Sequence, residues 1–446
     1  MELTLFESTG LEELNKWLDN KYASNFNIND AKDLLKTCNI SFALEGINRL
    51  QSTLLCELKD SYVQQSQRYV TMEENYHFPL MNKMTPIEKN KTKDLISDCF
   101  DLYERMTELK DGVDPSGRPK KDDYKYGIPV EDARYILPLV TKTNISVTMT
   151  GDKLFDLYNL LTKYPDIIKN ILGSLIEYIP VNIKKLIVQN SKLLTSKVST
   201  TYSYYGDKFK ELSPKNKVEL FDMYNNPEIR VGIGAATSTS EMTPSEKLNS
   251  WGQNKSEKSK KLVENVLGYG HTSITEQSRT VTGMMFSLVT YHQYIRHRLP
   301  KNHREPLIEV VKRTDSKNVV VPKTIQESKF EDEYKTLVEK THLFRERILK
   351  VYGVDAEYLS YLFLLNCDQI KVISSTNARI DNEIMNERLC MNAQWEIRDI
   401  YIERSHKLKQ ISEILYKGSL PDCMVNGCNE GGLSCDDNSY IKNKLN

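Results

Sequence analysis

Three neighbouring side chains, Arg296, His297 and Arg298 in "YIRHRLPKNHREPL" (294–307), hold the densest chemistry in the sequence. Arginine offers a planar fork of donors that suits phosphate or another planar anion. A histidine between two arginines donates to a carbonyl or stays neutral. The plainer alternative is a helix end, where Arg and His favour the dipole and face solvent. After Arg298 the stretch goes quiet, with Pro300, Lys301 and Pro306 where a ligand loop would offer hydroxyls.

Four further clusters have matching polarity. "GHTSITEQ" (270–277) gathers His271, Thr272, Ser273 and Glu276 in one turn, either a polar ligand loop or a capping box with Thr272 or Ser273 as N-cap. "SYVQQSQRY" (61–69) carries Gln64, Gln65, Ser66, Gln67 and Arg68, neutral donors plus one cation that can cradle phosphate oxygens and a base edge, or an ordinary polar loop. "STNAR" (375–379) supplies Asn377 and Arg379, and "NERLCMNAQWEIR" (386–398) supplies Arg388. Arg134 stands in "DARYILPL" before an apolar segment. The tail "CMVNGCNEGGLSC" (423–435) holds three cysteines, one ligand short of a closed zinc site, and reads as free thiols with no metal.

The elements that must position these groups follow from apolar spacing. Residues 41–58 read as an amphipathic helix through Leu44, Ile47, Leu50, Leu54 and Leu58, followed by a polar loop. Residues 111–128 read as an exposed loop and 153–195 as helical sequence. The polar, tyrosine-rich stretch 196–216 reads as a domain junction, dividing the chain into 1–215 and 216–446. Beyond it, "IRVGIGAATSTS" reads as a strand entering a loop. "KLVENVLGYGH" reads as a helix ending at Gly268 or Gly270, and 281–297 as another helix. Residues 327–350 read as a charged helix and 384–417 as a long one.

Bulk properties narrow the class. A chain of 446 residues exceeds one typical domain, and 27% charged residues suit a globular protein. Lys plus Arg equal Asp plus Glu, 61 each, so no global field favours nucleic acid or a membrane surface. The acidic start is unlike a signal peptide, and no apolar run is long enough to span a bilayer. Eight scattered cysteines then point to reduced thiols in a cytoplasmic protein.

In combination the clusters are far more specific. The order GH-T-S-x-x-E, Q-x-x-RHR, NAR and R-x3-N-AQWEI resembles the flavin-dependent thymidylate synthases. In that family RHR is followed by a serine in a loop like "SYxxxSxRY". Here the C-terminal half keeps Gln293 and the RHR, then has Pro306 in place of the serine and Ile308 in place of the next arginine. The N-terminal half mirrors this: Cys56, Glu57 and Leu58 replace RHR, while Ser66, Arg68 and the arginine of "EDARYILPL" remain. The stretch 355–364 that should match it has no arginine, and Thr150, Gly151 and Asp152 stand at the place of NAR. Nothing in the N-terminal half corresponds to Arg388, and residues 20–40 hold no GH-x-S-x-x-E.

The resemblance implies an α+β fold of two tandem synthase-like domains, each an antiparallel or mixed sheet packed with helices. It implies a flavoprotein methyltransferase of dTMP biosynthesis that converts dUMP to dTMP, with FAD as cofactor and NADPH and methylenetetrahydrofolate as co-substrates. By carry-over, Arg296, His297, Arg298, His271, Ser273, Glu276, Asn377 and Arg379 hold FAD. Gln293, Arg296, Gln64, Gln65, Ser66, Gln67, Arg68, Arg134 and Arg388 contact dUMP, with Arg388 as the catalytic group against the uracil ring. Gln64 replaces a carboxylate found in many relatives. The family's tetramer implies a homodimer of this fused chain, a pseudo-tetramer. The rival reading is a catalytically inactive flavin- or nucleotide-binding homologue.

Overall fold

The computed structural model describes every residue except 20, 22–24, 118, 192–200, 354–355, 436–437 and 446. It is α+β, and the chain forms two compact units, Met1–Thr200 with Leu307–Asp368, and Thr201–Pro306 with Gln369–Asn446. These contact units are drawn differently from the sequence halves 1–215 and 216–446, because Leu307–Asp368 folds with the first unit. No helix among the described residues is long and apolar enough to cross a membrane.

Each unit has one four-stranded antiparallel sheet. In the first, β1 (Glu2–Thr9), β2 (Asn39–Asn48), β3 (Ser61–Gln64) and β4 (Lys142–Thr150) lie in the order β1-β2-β4-β3. In the second, β5 (Val218–Met223), β6 (Thr280–Ser287), β7 (Lys301–Arg304) and β8 (Gln369–Thr376) lie in the order β5-β6-β8-β7. The register repeats as well. Ser61 faces Thr148 and Lys301 faces Ser375, so β3 and β7 are offset by 240 (301 − 61) and β4 and β8 by 227 (375 − 148).

In both sheets the second strand runs into a short buried helix through a capped turn. Asn48 caps Arg49–Cys56, exchanging side-chain and backbone hydrogen bonds with Gln51. Ser287 caps Leu288–Tyr294 by accepting from Thr290 N. Residues 41–58 and 281–297 are therefore each a strand followed by a helix. In β2 the buried residues Ile40, Phe42 and Leu44 alternate with more exposed ones, which is the strand period. In β6 nearly every side chain is buried, which erases any period.

Other segments also differ from the sequence reading. Within 196–216, the helix Thr201–Glu211 buries Phe209, which joins Leu212, Met285 and Ile373 in a core against the second sheet; 196–200 lie outside the described residues. The glycine- and alanine-rich "IRVGIGAATSTS" is mostly the helix Pro227–Thr237, begun by a proline at its first position. Its Gly232 lies so close to Ser259 of the helix Lys255–Gly268 that a Cβ would sit 2.9 Å from the Ser259 Cβ. The long helix at 384–417 is two, Ala378–Arg388 and Trp395–Ile411. Helix 327–350 is Glu331–Val351.

Within the first unit, two short segments pair reciprocally. Leu139 N donates to Leu364 O at 2.8 Å, and Asn366 N donates to Leu137 O at 3.0 Å, around an antiparallel bridge between Pro138 and Leu365. Each partner is the other's equivalent under the β4–β8 offset (364 − 137, 365 − 138 and 366 − 139 all equal 227). The turn at 364–368 is fixed by Asp368, whose carboxylate accepts from Leu365 N, Arg345 Nη1 and His342 Nε2, each at 2.8 Å. Burial alone would push this carboxyl up, but the Arg345 and His342 beside it outweigh that and hold it well below the usual range. A depressed carboxyl contributes its stability above the unfolded pKa and loses it as the pH falls. Asp368→Ala leaves Arg345 buried and unpaired, and is expected to cost about 3–5 kcal/mol in denaturant unfolding at neutral pH; a loss below about 1 kcal/mol would show that the triad is not the anchor.

Candidate functional site

In the second unit the RHR triplet forms the turn after the helix Leu288–Tyr294, and that helix is clamped from behind. Glu396, 1% exposed, accepts from Ser287 N at 2.8 Å, from Thr290 Oγ1 at 2.6 Å and from Ser287 Oγ. A carboxylate at a helix N-terminus also matches the helix dipole. Gln394 caps its own helix at Ile397 N and accepts from Thr290 Oγ1 at 3.3 Å. The "AQWE" of the sequence thus fixes where the RHR turn emerges. Its clamp role was not legible, because Ser287 and Glu396 are 109 positions apart.

The turn faces the helix Ala378–Arg388. Arg296 to Pro300 and the residues Ile380, Glu383, Ile384 and Glu387 enclose a cleft of about 190 Å³. Asn377 caps that helix, accepting from Ile380 N at 2.9 Å. Its first turn is locked to the sheet by the buried Asp381, which accepts from Arg404 Nη2 at 2.7 Å and from Thr376 Oγ1 at 3.0 Å. Arg379 donates to Glu383 at 3.0 Å and to Glu276 at 2.5 Å, joining the NAR and GHTSITEQ motifs on the exposed surface. The capping reading of "GHTSITEQ" is therefore not realised: Thr272–Gln277 is a 3-10 turn preceded by His271 with no side-chain cap, and Glu276 pairs with Arg379 instead. His271 and Ser273 are exposed there.

At the far end of the helix, Arg388 Nε donates to His297 Nε2 at 2.6 Å. Guanidinium has no acceptor, so the imidazole proton sits on Nδ1. Burial, Arg388 and Arg296 together hold the His297 pKa well below its ordinary value, so the ring is neutral at physiological pH. Arg388 also pairs with Glu387 at 3.3 Å. Gln293, one turn before the triplet, is 6% exposed, and its Nε2 is buried without a hydrogen-bond partner.

The first unit holds the other cluster. Gln64 Nε2 donates to Ser52 O and to Cys56 Sγ, so its amide is spent on the preceding helix Arg49–Cys56. Gln65 is tied to Asn144 through its backbone N and its side chain. Ser66 Oγ accepts from Arg68 N at 3.1 Å, shaping the loop. Arg68 pairs with Glu131 at 2.9 Å. Arg134, 3% exposed, donates through Nε to Glu131 O, yet its Nη2 is buried without a partner. Gln67, 2% exposed, has its Nε2 in the same condition.

Burial, and then the neighbouring Arg68, push the Arg134 guanidinium down to about 10. The charged form is thus penalised in the fold at neutral pH, and the penalty eases only as the pH climbs through that lowered value toward the ordinary arginine range. An anion beside Nη2 would relieve it. Arg134→Met is accordingly expected to leave the ligand-free protein as stable or to gain about 1 kcal/mol or more, read by thermal unfolding. A marked loss of stability would mean the guanidinium is satisfied within the fold.

Comparison with known proteins gives these clusters a context. The family described as thymidylate synthase complementing protein matches the chain twice, over residues 9–165 and 219–412. The flavin-dependent thymidylate synthase of Clostridium tetani is 26% identical over 244 residues, covering 51% of this chain and 95% of that protein. That of Pyrococcus furiosus is 30% identical over 207 residues, covering 42% of this chain and 82% of its own length. That of Geobacter sulfurreducens is 26% identical over 182 residues, with 41% and 78% covered.

Proposed function

The chain belongs to the flavin-dependent thymidylate synthase family, and from that premise we propose that it converts dUMP to dTMP with a divided set of residues. On this reading the sequence halves 1–215 and 216–446 are tandem synthase-like domains. The N-terminal half supplies the dUMP loop and Arg134, and the C-terminal half supplies the flavin contacts and Arg388. The observation that carries the reading is the buried, partnerless Nη2 of Arg134 beside Arg68, an arrangement that calls for an anion. The matching strand orders and the reciprocal bonds at 137–139 and 364–366 support a duplication.

The residues present fit a flavin. Arg296 and Arg298 offer exposed cations, and Leu299, Pro300, Ile380 and Ile384 offer apolar walls, around a cleft that suits an anionic molecule with a flat apolar part. Bound there, reduced FAD would supply the hydride, with NADPH as reductant and methylenetetrahydrofolate as one-carbon source. His297 and Arg298 hold the cofactor side, with Asn377, Arg379, His271, Ser273 and Glu276 flanking them. Gln293 presents a free Nε2 donor to a substrate oxygen. Ser66, Arg68 and the loop amides grip dUMP, and Arg134 takes its phosphate through a bidentate contact.

Arg388 acts on the uracil ring. Its Nε is committed to neutral His297, which fixes the plane of the guanidinium. A fixed cation favours the deprotonated ring and so raises the nucleophilicity of its carbon. No enzyme nucleophile is then required. A homodimer of the fused chain takes the place of the family's tetramer.

Complementation of a thymidine-requiring strain is expected to succeed, with tritium released from ring-labelled dUMP by the purified protein given NADPH and the folate. Ser66→Ala and Arg388→Ala should each fail to complement, Arg388→Ala lowering kcat by about 10²-fold or more. Flavin binding without tritium release would leave only a nucleotide-binding homologue. Full activity in either variant would refute the division of labour.

A further inference from the structure

We infer that Asn366 is a positioning residue that fixes the donor face of the dUMP site; this rests on the reading of Arg134 and the 64–68 loop as substrate-binding. Asn366 is 2% exposed, and its backbone N is held by Leu137 O. Its Nδ2 donates to Arg134 O at 2.9 Å and to Gln67 Oε1 at 3.3 Å. A carbonyl oxygen only accepts, so the nitrogen end of the Asn366 amide must face Arg134. The second hydrogen on that nitrogen then goes to Gln67, which must answer with its oxygen. The Gln67 nitrogen is thereby turned away, and it is the atom found buried without a partner.

One amide thus sets the polarity of Gln67 and ties down the Arg134 backbone. Gln67 Nε2 and Arg134 Nη2 are then two donors with no protein acceptor. The ligand group this matches is oxygen-rich and carries no donor, as in a phosphate or a uracil carbonyl. Asn366 itself cannot drift, because the Asp368–Arg345–His342 cluster pins the turn beside it.

The duplicated positions point the same way. Under the strand offsets, Asn366 corresponds to Leu139 (366 − 227), Gln67 to Leu307 (67 + 240) and Arg134 to Tyr361 (134 + 227). The amide stands where its side-chain target Gln67 is present, and leucine stands at the position whose matching side chain is Leu307.

The test uses the FAD-loaded full chain and dUMP. Asn366→Leu, which installs the residue of the equivalent position, is expected to raise the dUMP KM about tenfold, the loss of one good hydrogen bond. It should change kcat less than about twofold and leave flavin affinity unaltered. Added to Gln67→Ala, it should cost less than about twofold more, since both act through one donor. If Asn366→Leu does not fold, Gln67→Glu carries the test: it keeps the oxygen that Asn366 needs and replaces the free donor by an acceptor, so dUMP binding should again fall about tenfold or more. A wild-type KM in either variant, or full additivity in the pair, overturns the inference. If the unmutated protein does not bind dUMP, the reading of the site itself fails, and this inference with it.

Discussion

Two backbone hydrogen bonds, Leu139 N to Leu364 O and Asn366 N to Leu137 O, constrain how the rest can be understood. They exchange equivalent residues of two regions that share a strand order and a register. Such self-complementary pairing is what a two-fold contact between identical subunits has, and here it lies within one chain. In a homodimer both copies must keep every residue, because each meets only its own twin. In a fused pair each copy always meets the other, so one set of residues is freed to change. The complementary losses of the proposed duplication would follow from that freedom.

Electrostatics bears on which residues the two regions carry. A cation held in a poorly hydrated place is expensive unless an anion answers it. Arg134, with Nη2 buried and unanswered and Arg68 beside it, is retained at a cost in stability. At the matching positions in the sequence the cations are absent: Ile308 stands opposite Arg68 and Tyr361 opposite Arg134, while Cys56, Glu57 and Leu58 stand opposite the RHR triplet. His297 follows the same economy, remaining neutral between two arginines so that it can accept from Arg388.

The motifs were legible in the sequence because each is short and polar. The structure brings RHR and the helix after NAR to one cleft, ties Arg388 to His297 of that cleft, and joins NAR to the GHTSITEQ turn through Arg379 and Glu276. The α+β class was legible as well. The strands β2 and β6 were not, since apolar runs ending in a capped helix mimic one continuous helix over 41–58 and 281–297. Nor were the supports of the site. Glu396 gains its meaning only from Ser287 and Thr290 at a distant strand-to-helix turn, and Asn366 only from Gln67 and Arg134, more than 200 positions away. Such side chains look ordinary in sequence because their partners are set by tertiary packing, not by local spacing.

On the proposed reading, the two halves share one set of catalytic contacts, with a single RHR turn for flavin in each chain. The decisive measurement is titration of the purified, flavin-free chain with FAD, counting bound flavin per polypeptide. Saturation is expected at one flavin per chain; saturation at two would rule out a shared set.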